Sequence, residues 1–152
     1  MGNTFGVGRE APVFALSAHD GNRVALKDFR GDWLPMLVFY DPGAPGAAAR
    51  LAALSAAADQ FWGLRGQLLA ISDASAEQQR KVAEETDGLA FPLLVDTGAL
   101  VACSYGAVNS KTGKPVGATY IVDRSGKIVW VGEGDEASKP SALLAALESV
   151  AR

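Results

Sequence analysis

The sequence predicts an α/β protein in which a mixed central β-sheet is flanked by helices on both faces. Segments of helical periodicity alternate along the chain with continuous apolar runs. Such runs are typical of strands that are buried on both sides. Strands that alternate with helices pair in parallel, whereas two hairpins, one early and one late, add antiparallel strands. The predicted order is a β-hairpin followed by β-α-β-α-β-α-β-β-α.

The first third of the chain is predicted to hold a hairpin, a short helical turn and a buried strand. Asp20 and Gly21 lie in a turn cluster, where Gly21 can take a positive φ. Residues 37–39 are apolar side by side, which is typical of a strand covered on both faces. The predicted ranges are 13–16 and 23–26 for the hairpin, 27–31 for the turn and 33–40 for the strand.

The middle of the chain alternates helix and strand. A helix is predicted over 47–62, because its apolar residues repeat every three and four positions and alanine favours helix. Ser75 with Gln78 three residues later fits a capping box, which predicts a helix running to about residue 85. Strands at 67–72 and 91–95 and a short helical stretch at 98–105 complete this part.

The last part is predicted as a loop over 108–116, a hairpin and a closing helix. The hairpin has strands at 118–122 and 127–131, joined by a turn at 123–126. Ser138 and Pro140 open the last helix. No internal repeat or composition shift is present, so residues 1–152 are predicted to form a single domain.

The composition argues against several classes of partner. A net charge of −3 with 20% charged residues does not favour nucleic acid or an anionic membrane. One cysteine and one histidine exclude an intrachain disulfide and an ordinary His/Cys metal site, and no cofactor is expected. Because neither a signal peptide nor an apolar run of membrane-spanning length is visible, we expect a cytoplasmic protein.

The stretch LVFYDPGAPGAAARLAAL, residues 37–54, is where a functional site is expected. A strand ends there in a proline- and glycine-rich loop that feeds directly into a helix. A helix start presents unpaired N–H groups and the positive end of the peptide dipoles, and a thiol placed there is acidified. Only alanines stand where a reactive side chain would be expected.

Several motifs follow one another in order between about residues 6 and 150. They are 8–16, Asp20-Gly21 with 24–31, 37–40 with 42–47, 71–73, 91–96, 105–106, 119–123 and 126–128. Together they resemble the peroxiredoxin family of the AhpC/TSA type, and within it the bacterioferritin-comigratory-protein-like subgroup. The resemblance implies a thioredoxin-like fold. It also implies a cysteine thiolate that attacks a peroxide O–O bond and a second thiol that resolves the sulfenic acid.

The resemblance places the family's reactive positions on residues that cannot carry this chemistry. The family's Thr-Pro-Gly-Cys-Thr loop corresponds to Ala44, Pro45, Gly46, Ala47 and Ala48. The peroxidatic cysteine position is then Ala47, and the hydroxyl positions are Ala44 and Ala48.

Two further family positions are also changed. The resolving cysteine would fall at Ala52 and the arginine at Gly117. The loop also resembles the Cys-x-x-Cys loop of thioredoxin-like reductases. In that alignment Ala44 and Ala47 take the cysteine positions and the cis-proline falls near Gly117, so no thiol is found there either.

Other residues have both a functional and a structural interpretation. Cys103, the only thiol, could be a displaced redox centre, but a partly buried core residue is favoured. Tyr40 could line a small pocket or simply pack, and Arg50 could hold an anion at the helix start or face solvent. His19 is predicted to be a solvated turn residue.

These observations leave two main hypotheses. The first is a redox-inert binding or scaffold protein, a pseudoenzyme that uses the loop or a neighbouring face for an unknown protein partner. The second is a thiol-dependent peroxidase or thiol-disulfide reductase whose cysteines at 44, 47 and 52 are replaced by alanine in this chain. Peroxide chemistry moved to Cys103 is a third. A monomer or weak homodimer is expected.

Overall fold

A computed structural model describes residues 6–86, 88–109, 111–112, 116–134 and 139–151. Seven strands lie in this part of the chain: β1 (Ala15–Ala18), β2 (Arg23–Ala25), β3 (Leu34–Phe39), β4 (Gly66–Ser72), β5 (Leu93–Val95), β6 (Ala118–Val122) and β7 (Ile128–Glu133). The helices are α1 (Ala47–Ala56), α2 (Ala58–Gly63), α3 (Ala76–Glu85), α4 (Leu100–Ser104) and α5 (Pro140–Val150). Two 3₁₀ turns cover Leu26–Phe29 and Thr97–Ala99.

The strands form one mixed sheet in the order β2-β1-β5-β4-β3-β6-β7. Strands β3, β4 and β5 are parallel, as expected for strands joined through helices. The β1–β2 hairpin adds to β5 and the β6–β7 hairpin adds to β3, both antiparallel. The predicted mixed sheet and element order are therefore confirmed.

Strand β3 is buried along its whole length and divides the core into two layers. Leu37 and Phe39 face the layer that contains α4. Met36 and Val38 face the opposite layer, which contains apolar residues of α1, α2, α3 and α5. This alternation follows from the two-residue period of a strand. The predicted placement of helices on both faces is confirmed.

The boundaries differ from the prediction in several places. Strand β1 spans Ala15–Ala18 instead of 13–16, and the helical stretch predicted over 98–105 is a 3₁₀ turn followed by α4. The helix predicted over 47–62 is two helices, because Ala57 leaves helical geometry (φ −94°, ψ 1°) between α1 and α2. Strand β5 begins only at Leu93, after Pro92, whose nitrogen has no hydrogen to donate to a strand ladder. Strand β7 extends to Glu133, beyond the predicted end. The predicted role of Ser138 lies outside the described residues.

The predicted capping box at the start of α3 is confirmed. The Gln78 N–H donates to Ser75 Oγ, and the Ser75 N–H donates to Gln78 Oε1, each at 3.2 Å. The pair satisfies two backbone donors at once.

Helix α5 packs directly on the start of β4. A Cβ atom on Gly66 would collide with the Leu147 side chain and stand 3.0 Å from the Met36 sulfur. Leu147 is fully buried in the same layer. The absence of a side chain at position 66 therefore lets α5 approach the sheet.

Candidate functional site

The loop after β3 is held by local hydrogen bonds. Asp41 Oδ1 accepts the N–H of Gly43 at 2.8 Å, and the Asp41 carbonyl accepts the N–H of Ala44 at 3.1 Å. Gly46 has a φ of 79°, a left-handed conformation that glycine adopts without steric cost. These features turn the chain from the end of β3 into α1.

The N-terminus of α1 has no side-chain cap. Its N-cap residue is Gly46, which makes no capping hydrogen bond, and the helix begins at Ala47. First-turn N–H groups without a cap carry the positive end of the helix dipole. Ala47 is buried and Ala44 is half-buried, so small methyl groups border this helix start.

A cavity of about 160 Å³ lies beside this helix start, between α1, the end of β3 and the start of β6. We call it the loop cavity. Among the residues singled out from the sequence, it brings together Tyr40, Ala44, Ala47, Arg50 and Gly117. Its other lining residues are Val38, Phe39, Asp41, Leu51, Leu54, Ala118, Thr119 and Gly134. Pro45, Gly46, Ala48 and Ala52 do not line it.

Arg50 places a positive charge at the helix start. Its guanidinium Nη1 would lie 3.7 Å from a Cβ atom on Gly46, so the side chain extends back along α1 toward the N-terminus. Within the described part of the chain, its side chain makes no hydrogen bond or ion pair. Arg50 is half-buried and lines the loop cavity.

Tyr40 lines the cavity but is fixed as a packing residue. Its hydroxyl donates to Gln79 Oε1 at 2.6 Å. Burial, and then the neighbouring charge of Asp41, raise the pKa of the Tyr40 hydroxyl well above its usual range. The phenol therefore stays protonated at neutral pH and does not act as a base.

Gln79 is a structural residue that sequence reasoning missed. It is fully buried on α3, and its Nε2 donates to the Ala74 carbonyl at 2.9 Å and the Leu94 carbonyl at 3.2 Å. It thus joins α3 to the ends of β4 and β5. Its position three residues before the buried Val82 was the available signal.

Thr119 is a second residue that the sequence gave no reason to single out beyond its strand motif. It is 1% exposed, lines the loop cavity and lies opposite Val38 in the β3–β6 register. No hydrogen bond of its hydroxyl to any other described residue is present. A buried hydroxyl without a partner is unusual and calls for an explanation.

Cys103 is exposed, and the prediction of a partly buried core residue is wrong. Helix α4 directs Val101 and Ala102 toward the sheet, together with Tyr105 just after the helix, which turns position 103 outward. Helix α4 packs on the layer opposite to α1. The only thiol of the chain therefore lies on the other side of the sheet from the α1 helix start.

His19 is also not the solvated turn residue that was predicted. It is half-buried, its Nδ1 accepts the N–H of Leu93 at 3.2 Å, and its own N–H donates to the Leu93 carbonyl at 2.7 Å. The residue ties the β1–β2 turn to the start of β5. This long-range contact is invisible in the local sequence.

The carboxylate of Asp96 is fully used by the fold. It accepts the N–H of Val101 at Oδ1 and that of Ala102 at Oδ2, both at 2.9 Å. It therefore caps the first turn of α4.

Among the described helices, none is both long enough and apolar enough to traverse a bilayer.

The sheet order, with a Pro-Gly loop feeding the helix after β3, defines a thioredoxin-like protein of the peroxiredoxin type. The structure of peroxidoxin BcpB from Mycobacterium tuberculosis superposes with a TM-score of 0.83 at 26% identity, over 95% of this chain and 97% of that one. A Xanthomonas campestris bacterioferritin comigratory protein shares the fold, with a TM-score of 0.84 at 20% identity, over 97% of this chain and 100% of that one.

The chain belongs to the AhpC/TSA family, which matches it over residues 7–131. A putative peroxiredoxin of Mycobacterium tuberculosis is 33% identical over 132 residues, covering 80% of this chain and 81% of its own length. Alkyl hydroperoxide reductase E of Mycobacterium bovis is 32% identical over 125 residues, with coverages of 80% and 81%. The resemblance to peroxiredoxins seen in the sequence is confirmed.

Proposed function

We propose that this chain is a redox-inert member of the peroxiredoxin fold that acts as a binding protein through the loop cavity. One observation carries the proposal: the cavity at the start of α1 is bordered by the methyl groups of Ala44 and Ala47 and contains no thiol. A methyl group can neither ionise nor accept an oxygen atom from a peroxide. Cys103 lies on the opposite side of the sheet and supplies no substitute at this site.

A peroxide-consumption assay with a thiol reductant tests the proposal. The unmodified protein is expected to consume no peroxide above the reductant alone. Catalytic consumption that survives Cys103→Ser would overturn the proposal. Consumption abolished by Cys103→Ser would instead favour a redox centre moved to that exposed thiol.

Restoring a thiol at the helix start sharpens this test. In Ala47→Cys the thiolate is expected to take one oxygen atom from a hydroperoxide, giving a sulfenic acid and releasing the alcohol. Its pKa is expected to lie below the ordinary value of about 8.5, because the helix dipole and the Arg50 charge favour the anion. Ala53→Cys, an exposed position in the second turn of α1, is the matched control. Alkylation rate against pH measures both; equal profiles would show that the helix start no longer activates a thiol.

Membership of the AhpC/TSA family supports a second candidate. In it, the parent protein is a thiol-dependent peroxidase or thiol-disulfide reductase, and alanine replaces cysteine at 44, 47 and 52 in this chain. Replacement of cysteines alone does not account for Ala48 and Gly117 at the other family positions. The codons of the native gene test it, since alanine codons at these three positions would end this alternative.

The proposal includes a single domain over residues 1–152, a cytoplasmic location and a monomer or weak homodimer. Sedimentation equilibrium of the full chain tests the last point. A stable higher oligomer at micromolar concentration would contradict it.

A further inference from the structure

We propose that the loop cavity binds a short-chain aliphatic monocarboxylate. This inference rests on the proposed function, because a cavity without a thiol can hold a small organic anion that does not react. It assigns a ligand class to the cavity from three independent features of its wall.

The first feature is positive charge with no internal partner. Among the described residues the Arg50 guanidinium has no acceptor, and it lies against Gly46 at the N-terminus of α1. The positive end of the α1 dipole adds to this charge, although the N–H groups of Ala47 and Arg50 themselves donate to the Ala44 and Gly46 carbonyls. An oxyanion at this point would accept hydrogen bonds from the guanidinium and would be stabilised by the helix dipole.

The second feature is the Thr119 hydroxyl. Its side chain is buried, lines the same cavity and lacks a hydrogen-bond partner within the described ranges. Leaving a hydroxyl buried and unmatched lowers stability, whereas a ligand oxygen in the cavity would satisfy it. The residue is on β6, across the cavity from α1, so the polar contacts would come from two different elements.

The third feature is the apolar remainder of the wall. Val38, Leu51 and Leu54 are buried side chains of the same layer and line the cavity with Ala44 and Ala47. A volume of about 160 Å³ is close to the ~150 Å³ of an engineered apolar cavity that accepts benzene. It therefore suits a tail of about four to six carbon atoms.

The exposed carboxylate of Asp41 sets the charge that the site accepts. Asp41 also lines the cavity, and one of its oxygens is engaged by the Gly43 N–H. Asp41 repels any anion in the cavity, a dianion twice as strongly as a monoanion, and the apolar wall makes a second charge costlier to desolvate. A monocarboxylate thus fits the balance of charge better than inorganic phosphate.

Amide NMR of the full chain titrated with sodium hexanoate tests the proposal. Hexanoate up to about 10 mM is expected to shift the first-turn amides of α1 saturably, since a Kd near 1 mM would then be nearly saturated. Hexan-1-ol and inorganic phosphate are expected to bind at least about tenfold more weakly, because each lacks one of the two features recognised. Equal binding of hexan-1-ol, preferential binding of phosphate, or no saturable shift with hexanoate would each overturn the proposal.

Two variants locate the interaction. Arg50→Met keeps the length of the side chain and removes its charge, so hexanoate affinity is expected to fall about tenfold to a hundredfold. Thr119→Val is expected to weaken hexanoate severalfold without loss of thermal stability. Arg124→Met removes an exposed arginine from the β6–β7 turn and is the matched control, with unchanged affinity expected. An equal loss in Arg50→Met and Arg124→Met would show only general charge attraction and overturn the site.

The outcomes separate this inference from the proposed function. Without hexanoate binding and without peroxide consumption, the carboxylate site is refuted and the redox-inert protein stands. With specific hexanoate binding and with peroxide consumption, the site stands and redox inertness is refuted.

Discussion

Thr119 and Tyr120 are neighbours on β6, both 1% exposed, yet they meet opposite environments on the two sides of the sheet. The Tyr120 hydroxyl donates to the Tyr105 carbonyl at 2.8 Å, and the Tyr105 hydroxyl donates to the Pro12 carbonyl at 2.7 Å. The Thr119 hydroxyl, by contrast, has no partner among the residues that the structure describes.

The two faces of the sheet differ in this respect: one is packed and fully hydrogen-bonded at these positions, and the other has room for a ligand. On the Tyr120 side, the aromatic layer consists of Phe14, Phe39, Tyr105 and Tyr120, with ring centroids 5.1 Å apart for the two tyrosines. Its phenols use protein carbonyls as acceptors, and rings at this distance add stabilisation beyond burial. On the Thr119 side, a cavity and an unmatched hydroxyl remain, a local departure from consistency that is typical of functional sites.

Alkaline titration is expected to have the largest effect, and two of the three tyrosines that it ionises, Tyr105 and Tyr120, belong to the aromatic layer. Burial first, and then the charge of Glu133, raise the pKa of Tyr120 to about 12, and burial also raises the pKa of Tyr105 well above its usual range. Both phenols therefore keep their protons longer in the folded state than in the unfolded chain, where the pKa is about 10. Their contribution is complete below about pH 10 and is lost as the pH rises toward 12, by up to about 1.4 kcal/mol per pH unit for each tyrosine.

Urea unfolding at a series of pH values measures this slope, and phenolate absorbance gives the tyrosine titration directly. Because the pKa of Tyr40 is raised in the same way, Tyr120→Phe leaves two of the three phenols, and the slope above pH 10 is expected to fall to about two thirds of that of the unmodified chain. Phenolate absorbance that develops fully near pH 10 in the folded protein would contradict the prediction.

Removal of the Tyr120 hydroxyl is expected to have the next largest effect. Tyr120→Phe leaves the buried carbonyl of Tyr105 without this donor, so the free energy of unfolding at neutral pH should fall by about 1–2 kcal/mol. Urea denaturation with an unchanged m-value measures it. Leu100→Ala, at a position 74% exposed, is the control and should change stability by no more than about 0.5 kcal/mol. A neutral Tyr120→Phe would mean that the aromatic layer depends on ring packing alone.

Thr119→Val is expected to have the smallest effect, and with the opposite sign. The substitution replaces an unmatched buried hydroxyl by a methyl group of similar size, so stability should stay equal or rise by up to about 1 kcal/mol. The same urea measurement on ligand-free protein tests it. A loss of more than about 1 kcal/mol would show that this hydroxyl has a structural partner and would remove the contrast with Tyr120.

Local and periodic signals in the sequence predicted most of the fold. The unbroken apolar run at 37–39 identified β3, and the Ser75–Gln78 capping box placed the start of α3. The helix break at Ala57 could not be predicted, because alanines on both sides favour helix equally and tertiary packing decided the matter.

The sequence pointed to the region of the candidate site but not to all of its lining residues. The Pro-Gly loop located the helix start, and the cavity indeed includes Tyr40, Ala44 and Arg50. Thr119 was missed because it is more than sixty positions away in sequence and meets the loop only through the β3–β6 pairing. Cys103 was misjudged because the orientation of the short helix α4 depends on contacts with the sheet.

The missing side chain at Gly66 has a consequence for local opening of the molecule. Leu147 of α5 occupies the space that a Cβ atom on Gly66 would need. The packing of α5 therefore depends on the position of the first residues of β4, some eighty positions earlier in the chain. Amide hydrogen exchange in α5 and in the first residues of β4 should therefore occur through one shared opening event, while the centre of the sheet stays protected.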